Sequence, residues 1–114
     1  MTARWEYQNR MFRNSVDAGW DPERANTFAE EIAHLHEEVA EAFREWRLHK
    51  NFETRYDPET GKPLGIPSEF ADVLIGMFYL AELNGFDLLA AMEEKAAWNT
   101  TRNYTAEGRQ LHAE

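Results

Sequence analysis

The chain has 114 residues, no cysteine, and a formal net charge of −9 from 21 acidic and 12 basic side chains. Disulfides and thiolate metal sites are therefore excluded, and a DNA or RNA polymer is disfavoured as a partner. Hydrophobic residues at 43% and charged residues at 29% are the proportions of a globular chain, and the length points to one domain.

Four helices are expected in chain order, with one long interruption. The first spans roughly 2–18, carries Trp5, Met11, Phe12 and Val16, and stops at Gly19. Asp21-Pro22 has the pattern of an N-cap followed by proline in the first turn, so a second helix is expected from Pro22 to about Leu48. Its apolar positions Phe28, Ile32, Leu35, Val39, Ala42 and Trp46 step by four and three, the stripe of a core-facing helix. Residues 51–66 hold Asp57-Pro58, Gly61, Lys62-Pro63 and Gly65, which predict a loop, with Phe52–Tyr56 as one strand of a short hairpin. A third helix opens at Ile66-Pro67-Ser68 and closes at Asn84-Gly85. Its middle, Phe70–Leu83, is apolar nearly all round, more than one small chain can cover, so a homo-oligomer, a homodimer or a dimer of dimers, is expected. Asp87 caps a fourth helix to about Asn103, and a polar tail, 105–114, follows a core of 22–104. No run of 18 apolar residues occurs and residues 1–13 mix charged with aromatic side chains, so the expectation is a cytoplasmic protein without a membrane span or secretory leader.

The carboxylates are where this pattern turns into chemistry. Between Ile66 and Ala81 the only carboxylates are Glu69 and Asp72, three apart and so on one side of a helix that is otherwise apolar. An exposed strip near the helix N-terminus, favoured by the dipole, is the competing reading. The second helix carries Glu38 and Glu41 at the same spacing, beside the apolar stripe. Two such pairs on neighbouring helices converge into an oxygen-rich pocket suited to a hard cation, and without cysteine or a matching histidine set Mg²⁺, or Mn²⁺, fits better than Zn²⁺. On the fourth helix Lys95, Asn99 and Arg102 share one side, a cationic end suited to phosphates or, on the bland reading, a solvated helix terminus.

Taken in order, Glu38-Val-Ala-Glu41, Glu69-Phe-Ala-Asp72 and Lys95-Ala-Ala-Trp-Asn99 resemble the E-x-x-E, E-x-x-D and K-x-x-x-N pattern of the all-α nucleoside triphosphate pyrophosphohydrolases, the superfamily of MazG and of the dimeric dUTPase and dCTP pyrophosphatase types. The likeness covers about residues 28–104. It implies an all-α, four-helix-bundle-like MazG fold assembled as a homo-oligomer. It also implies a Mg²⁺-dependent hydrolase converting a nucleoside triphosphate, with deoxynucleotides favoured, to monophosphate and pyrophosphate. On that resemblance Glu38, Glu41, Glu69 and Asp72 hold metal, Glu37 and Glu38 act on the attacking water, and Lys95, Asn99 and Arg102 contact the substrate. None of Trp5, Trp20, Trp46 or Trp98 aligns with a base-stacking position, and a core or interface role is the expectation for each.

Two rivals compete with this reading. A di-iron carboxylate bundle needs Glu-x-x-His twice, and only Glu31-Ile-Ala-His34 supplies it, since His36, His49 and His112 lack the preceding glutamate. His34 and His36, two apart, are expected as a surface or interface pair. The other rival is a non-catalytic helical nucleotide- or metal-binding or interaction module with the same fold.

Overall fold

The structure, a computed structural model, describes residues 3–24 and 27–102, with Ala3 and Arg4 as backbone only. In chain order its elements are α1 (Ala3–Asp17), α2 (Thr27–His49), β1 (Arg55–Tyr56), β2 (Pro63–Leu64), α3 (Ile66–Asn84) and α4 (Leu88–Asn99). The all-α expectation holds, with the hairpin as its single excursion. No single helix among the described residues is long and apolar enough to cross a membrane.

The most apolar helix, α3, is the central one. Both α1 and α2 pack along it, and among the described residues neither packs on the other. The core forms where the three meet: Leu35 from α2 and Tyr79 and Leu80 from α3 are buried, with Phe12, Val16, Trp20, Val73 and Leu83 around them. Phe12 stacks on Tyr79 at 5.1 Å between ring centroids, and Trp20 meets the same ring edge-on at 4.7 Å. A Cβ at Gly76 would lie 2.6 Å from Leu35 Cδ2, so only glycine lets α2 approach α3 this closely.

A buried amide fixes the angle of α4. Gln8, fully buried in α1, donates through Nε2 to the Phe86 carbonyl at 2.8 Å and to Glu82 Oε1 at 3.2 Å. Its Oε1 accepts from the Leu88 N–H at 2.9 Å. The turn between α3 and α4 would otherwise leave these backbone groups unmatched, a cost of about 1–3 kcal/mol for each one buried. With the Gly85 N–H closing the end of α3 and Asp87 Oδ1 accepting from the Ala90 N–H, α4 leaves α3 at a bend of 107°.

The hairpin is pinned onto the start of α3. Arg55 pairs with Leu64 and Tyr56 with Pro63, a ladder shorter than the expected strand at 52–56. The Asp57 carboxylate closes its turn by accepting from the Glu59 and Thr60 N–H groups at 2.8 and 3.2 Å. At Gly65 the backbone is left-handed (φ 119°), and a Cβ there would sit 2.5 Å from the Glu53 carbonyl oxygen. Ser68 Oγ donates to the Pro63 carbonyl at 3.0 Å.

Three expectations need correction. The helix expected from Pro22 is described only from Thr27: Asp21 Oδ1 accepts from the Glu23 N–H at 2.9 Å and the Arg24 N–H returns to the Asp21 carbonyl, so the Asp-Pro pair closes a separate turn. Helix α4 ends at Asn99, not Asn103, because the Thr100 and Thr101 hydroxyls turn back onto the Ala97 and Trp98 carbonyls at 2.7 Å. Position 103 and the tail lie outside the described residues. On α2 the periodic stripe is only partly core: Leu35 and Ala42 are buried, while Phe28 and Val39 are more than half exposed in the single chain.

Candidate metal centre and its flanking cavities

Because α3 is central, its first two turns face α2, and that contact brings the acids together. Carboxylate oxygens of Glu38, Glu69 and Asp72 all lie within 4.8 Å of one another. The Glu38 side chain is only 17% exposed. Like charges this close repel by about 3.5 kcal/mol or more per pair at an effective dielectric near 20, before solvent screening. The protein answers by keeping a proton. Burial, a hydrogen bond with Glu38, and the charges of Glu38, Asp72 and Glu41 raise Glu69 from 4.5 to about 7. The helix dipole at its first-turn position opposes this by roughly 0.3–1 kcal/mol and loses. Asp72 is also raised, by burial and then by Glu38, while Lys62 and His34 pull it down.

The donor set suits a hard divalent cation. Opposite ligands of an octahedral Mg²⁺ stand about 4.2 Å apart, twice a bond of about 2.1 Å. Oxygens already within 4.8 Å need only small rotamer changes to close on one ion. This group of three carboxylates contains no histidine.

The remaining sequence candidates divide clearly. Glu41 borders the cluster: its charge acts on Glu69, and its carboxylate lies 3.9 Å from Arg44. Glu37 points away, with its side chain 79% exposed and 3.9 Å from His34 Nδ1. Lys95, Asn99 and Arg102 are not brought to the acids by their own chain. Among the described residues helix α4 packs on α1 and α3 and not on α2. It starts beyond Asn84, which is roughly 18 Å along α3 from Asp72 at about 1.5 Å per residue. Lys95 and Asn99 are exposed, and the Arg102 guanidinium lies 5.0 Å above the Trp98 ring.

Other residues reach the centre unannounced by a motif. His34, expected at a surface or interface, places Nε2 3.2 Å from Glu38 Oε1 and so orients that carboxylate. The signal was its four-residue spacing from Glu38. Lys62 comes from the hairpin, where no periodicity points to it, and its charge reaches Asp72. With Arg44, Arg55, Glu41 and Glu69 it lines a cavity of about 310 Å³ on the hairpin side of the acids. Arg55 is bound to Glu45 of α2, which anchors this basic wall. Of the tryptophans, Trp20 is in the core, Trp46 stacks on Phe52 at 5.5 Å, and Trp98 is exposed.

No family model, curated protein or solved structure matches the chain.

Proposed function

We propose that the protein is a Mg²⁺-dependent nucleoside triphosphate pyrophosphohydrolase of the MazG-like type, with deoxynucleoside triphosphates as the favoured class. The observation that carries this reading is the meeting of Glu38 with Glu69 and Asp72 across the α2–α3 contact, two separate stretches of sequence converging on one oxygen-lined centre. The order of the E-x-x-E, E-x-x-D and K-x-x-x-N motifs supports it, as does the cavity beside the acids, where Lys62 stands with Arg44 and Arg55.

In this reading Glu38, Glu69 and Asp72 hold the metal and Glu41 completes the ligand set from the rim. Bound Mg²⁺ would neutralise phosphate charge and lower the pKa of a coordinated water. His34 Nε2, 3.2 Å from Glu38 Oε1, orients that carboxylate. Lys62 and Arg44 receive the phosphate chain in the adjoining cavity, where charge-assisted hydrogen bonds hold it in line with the acids. Glu37 is exposed and reaches a water-activating position only if α2 is covered by another surface, so Glu38 is the stronger candidate to accept the proton of water.

A second copy of the chain is part of the proposal. Ile32, Val39 and Met77 join in one exposed apolar groove between α2 and α3, and Phe70 and Leu74 extend it along α3. A partner seated there would cover this face. Its α4 is also the source from which Lys95, Asn99 and Arg102 would approach the acids.

The test is hydrolysis of each canonical nucleoside triphosphate with Mg²⁺, resolving monophosphate and pyrophosphate as products. Glu38→Gln and Asp72→Asn should each lose more than about 100-fold in turnover, beyond the 10–100-fold typical of outer-shell changes. Wild-type rates in either variant would remove the ligand assignment. Mg²⁺- and nucleotide-dependent thermal protection without turnover would instead favour the non-catalytic binding module.

A further inference from the structure

On the side of the carboxylate centre away from the hairpin, α2 borders a second cavity, of about 430 Å³. Trp20, Arg24, Thr27, Glu31, His34 and Tyr79 are among its walls. Two buried oxygens of these walls have no hydrogen-bond partner among the described residues: Glu31 Oε2 and the Tyr79 hydroxyl. Tyr79 is only 1% exposed, and its ring is fixed by Phe12 stacked on it and by Trp20 at its edge, so the hydroxyl cannot swing out to water. A carboxylate oxygen and a hydroxyl buried in the walls of one cavity, both unmatched, are destabilising unless something enters to meet them. The carboxylate accepts only, so the entrant must offer an N–H or O–H; the hydroxyl can donate to an acceptor next to it.

The cavity also has a direction. Glu31, His34, Glu38, Glu41 and Glu45 follow one another along one side of α2 at helical spacing. His34 lines the cavity and touches Glu38, and Glu41 and Glu45 line the cavity beyond, together with Arg44, Arg55 and Lys62. A chamber holding Trp20 and Tyr79 among the charged Asp21, Arg24, Glu30 and Glu31, a carboxylate centre, and a chamber whose unpaired cation among the described residues is Lys62 therefore succeed one another along a single helix face. A flat ring that sets a donor beside an acceptor, joined to a phosphate chain, matches this order end to end.

We propose that the Trp20–Tyr79 cavity is a nucleobase pocket, in which Glu31 accepts an N–H of the base and the Tyr79 hydroxyl meets the neighbouring acceptor, with the phosphates directed toward Lys62. This rests on the hydrolase reading for its substrate, and it is testable without turnover. Binding is measured by calorimetry in EDTA for dAMP, dCMP, dGMP and dTMP against deoxyribose 5-phosphate, which lacks a base. At least one of the four monophosphates should bind tenfold or more tighter than the base-free phosphate. In the wild type that ligand should show intermolecular NOEs from its base protons to the Trp20 ring. Glu31→Gln and Tyr79→Phe should each weaken it about tenfold, the scale of one lost hydrogen bond, and leave deoxyribose 5-phosphate unchanged within twofold. Should Tyr79→Phe misfold, Glu31→Gln and the wild-type NOEs decide. Equal or undetectable binding with and without a base, or base NOEs only to residues elsewhere, overturns the pocket. Hydrolysis unaffected by Glu31→Gln would leave the enzyme and remove the pocket; base-dependent binding with no hydrolysis would do the reverse.

Discussion

With no cation beside it, Glu69 keeps its proton up to about pH 7, because burial and three neighbouring carboxylates all oppose its charge. The sign of the pH dependence follows. An unfolded glutamate releases its proton near 4.5, so the folded state holds the proton more tightly, and the stability it contributes is present below 4.5. That contribution is lost as pH rises from 4.5 through about 7, and the raised Asp72 acts in the same direction. Mg²⁺ needs the ionised carboxylates, so its binding releases a proton and strengthens over the same interval. Melting in EDTA at pH 5.5, 6.5 and 7.5 should therefore give a falling Tm, and the increment on adding Mg²⁺ should grow. Glu69→Gln should flatten both trends; equal slopes in the two proteins would mean that the tension lies elsewhere. At this scale the meeting of Glu38 with Glu69 and Asp72 was legible because i, i+3 spacing fixes a helix face from sequence alone, while Glu41 only borders the group. The outward direction of Glu37, one residue from Glu38, was not: a shift of one position rotates a side chain by about 100°, and only the packing of α3 shows which rotation points inward.

Among the elements, the hairpin adds most to what the motifs suggested. Its turn signals were readable, since Asp57, Gly61 and Gly65 act locally. The place of Lys62 beside the acids was not, because it follows from the packing of β2 on α3 and the Arg55–Glu45 pair to α2, long-range contacts without periodicity. Similarly, Asn84-Gly85 and Asp87 marked their helix ends because capping is local, whereas Asp21-Pro22 carried the same signal and made a turn. Lys62 is exposed, so its replacement should be nearly neutral for stability while the site loses a cation. Lys62→Met is expected to keep the wild-type Tm within about 1 °C, in line with surface changes of less than about 0.5 kcal/mol. Its kcat/KM for a triphosphate should fall about 10–100-fold, the scale of one charge-assisted hydrogen bond of about 1.5–3 kcal/mol. Raising the pKa of Asp72 further, it should also shift the lower limb of the pH–rate profile upward. An unchanged kcat/KM would place the phosphates away from the hairpin.

At the level of the whole molecule, one chain covers only part of the apolar stripe of α2 and of the apolar middle of α3. Leu35, Ala42, Gly76 and Tyr79–Ala81 are buried by the chain itself, whereas Ile32, Val39, Phe70, Leu74 and Met77 remain exposed. Sequence periodicity shows that a face is apolar but not whether it is covered from within or by a neighbour, and the same face can do both in adjacent turns. The proposed second copy makes two consequences inseparable. A charge placed in the groove must be desolvated if the interface forms, at a cost large enough to dissociate a dimer of ordinary affinity. Met77→Glu and Val39→Glu should therefore sediment as 13.3 kDa monomers where the wild type sediments at twice that mass or more. Their monomer fold should persist, since both positions are solvent-exposed in the single chain. If α4 of a partner brings Lys95, Asn99 and Arg102 to the acids, the monomers should also lose turnover while retaining Mg²⁺-dependent thermal protection, because Glu38, Glu69 and Asp72 come from one chain. A wild type that sediments as a monomer at full activity would reject the partner's role and require Lys62 and Arg44 to serve as the phosphate cations on their own.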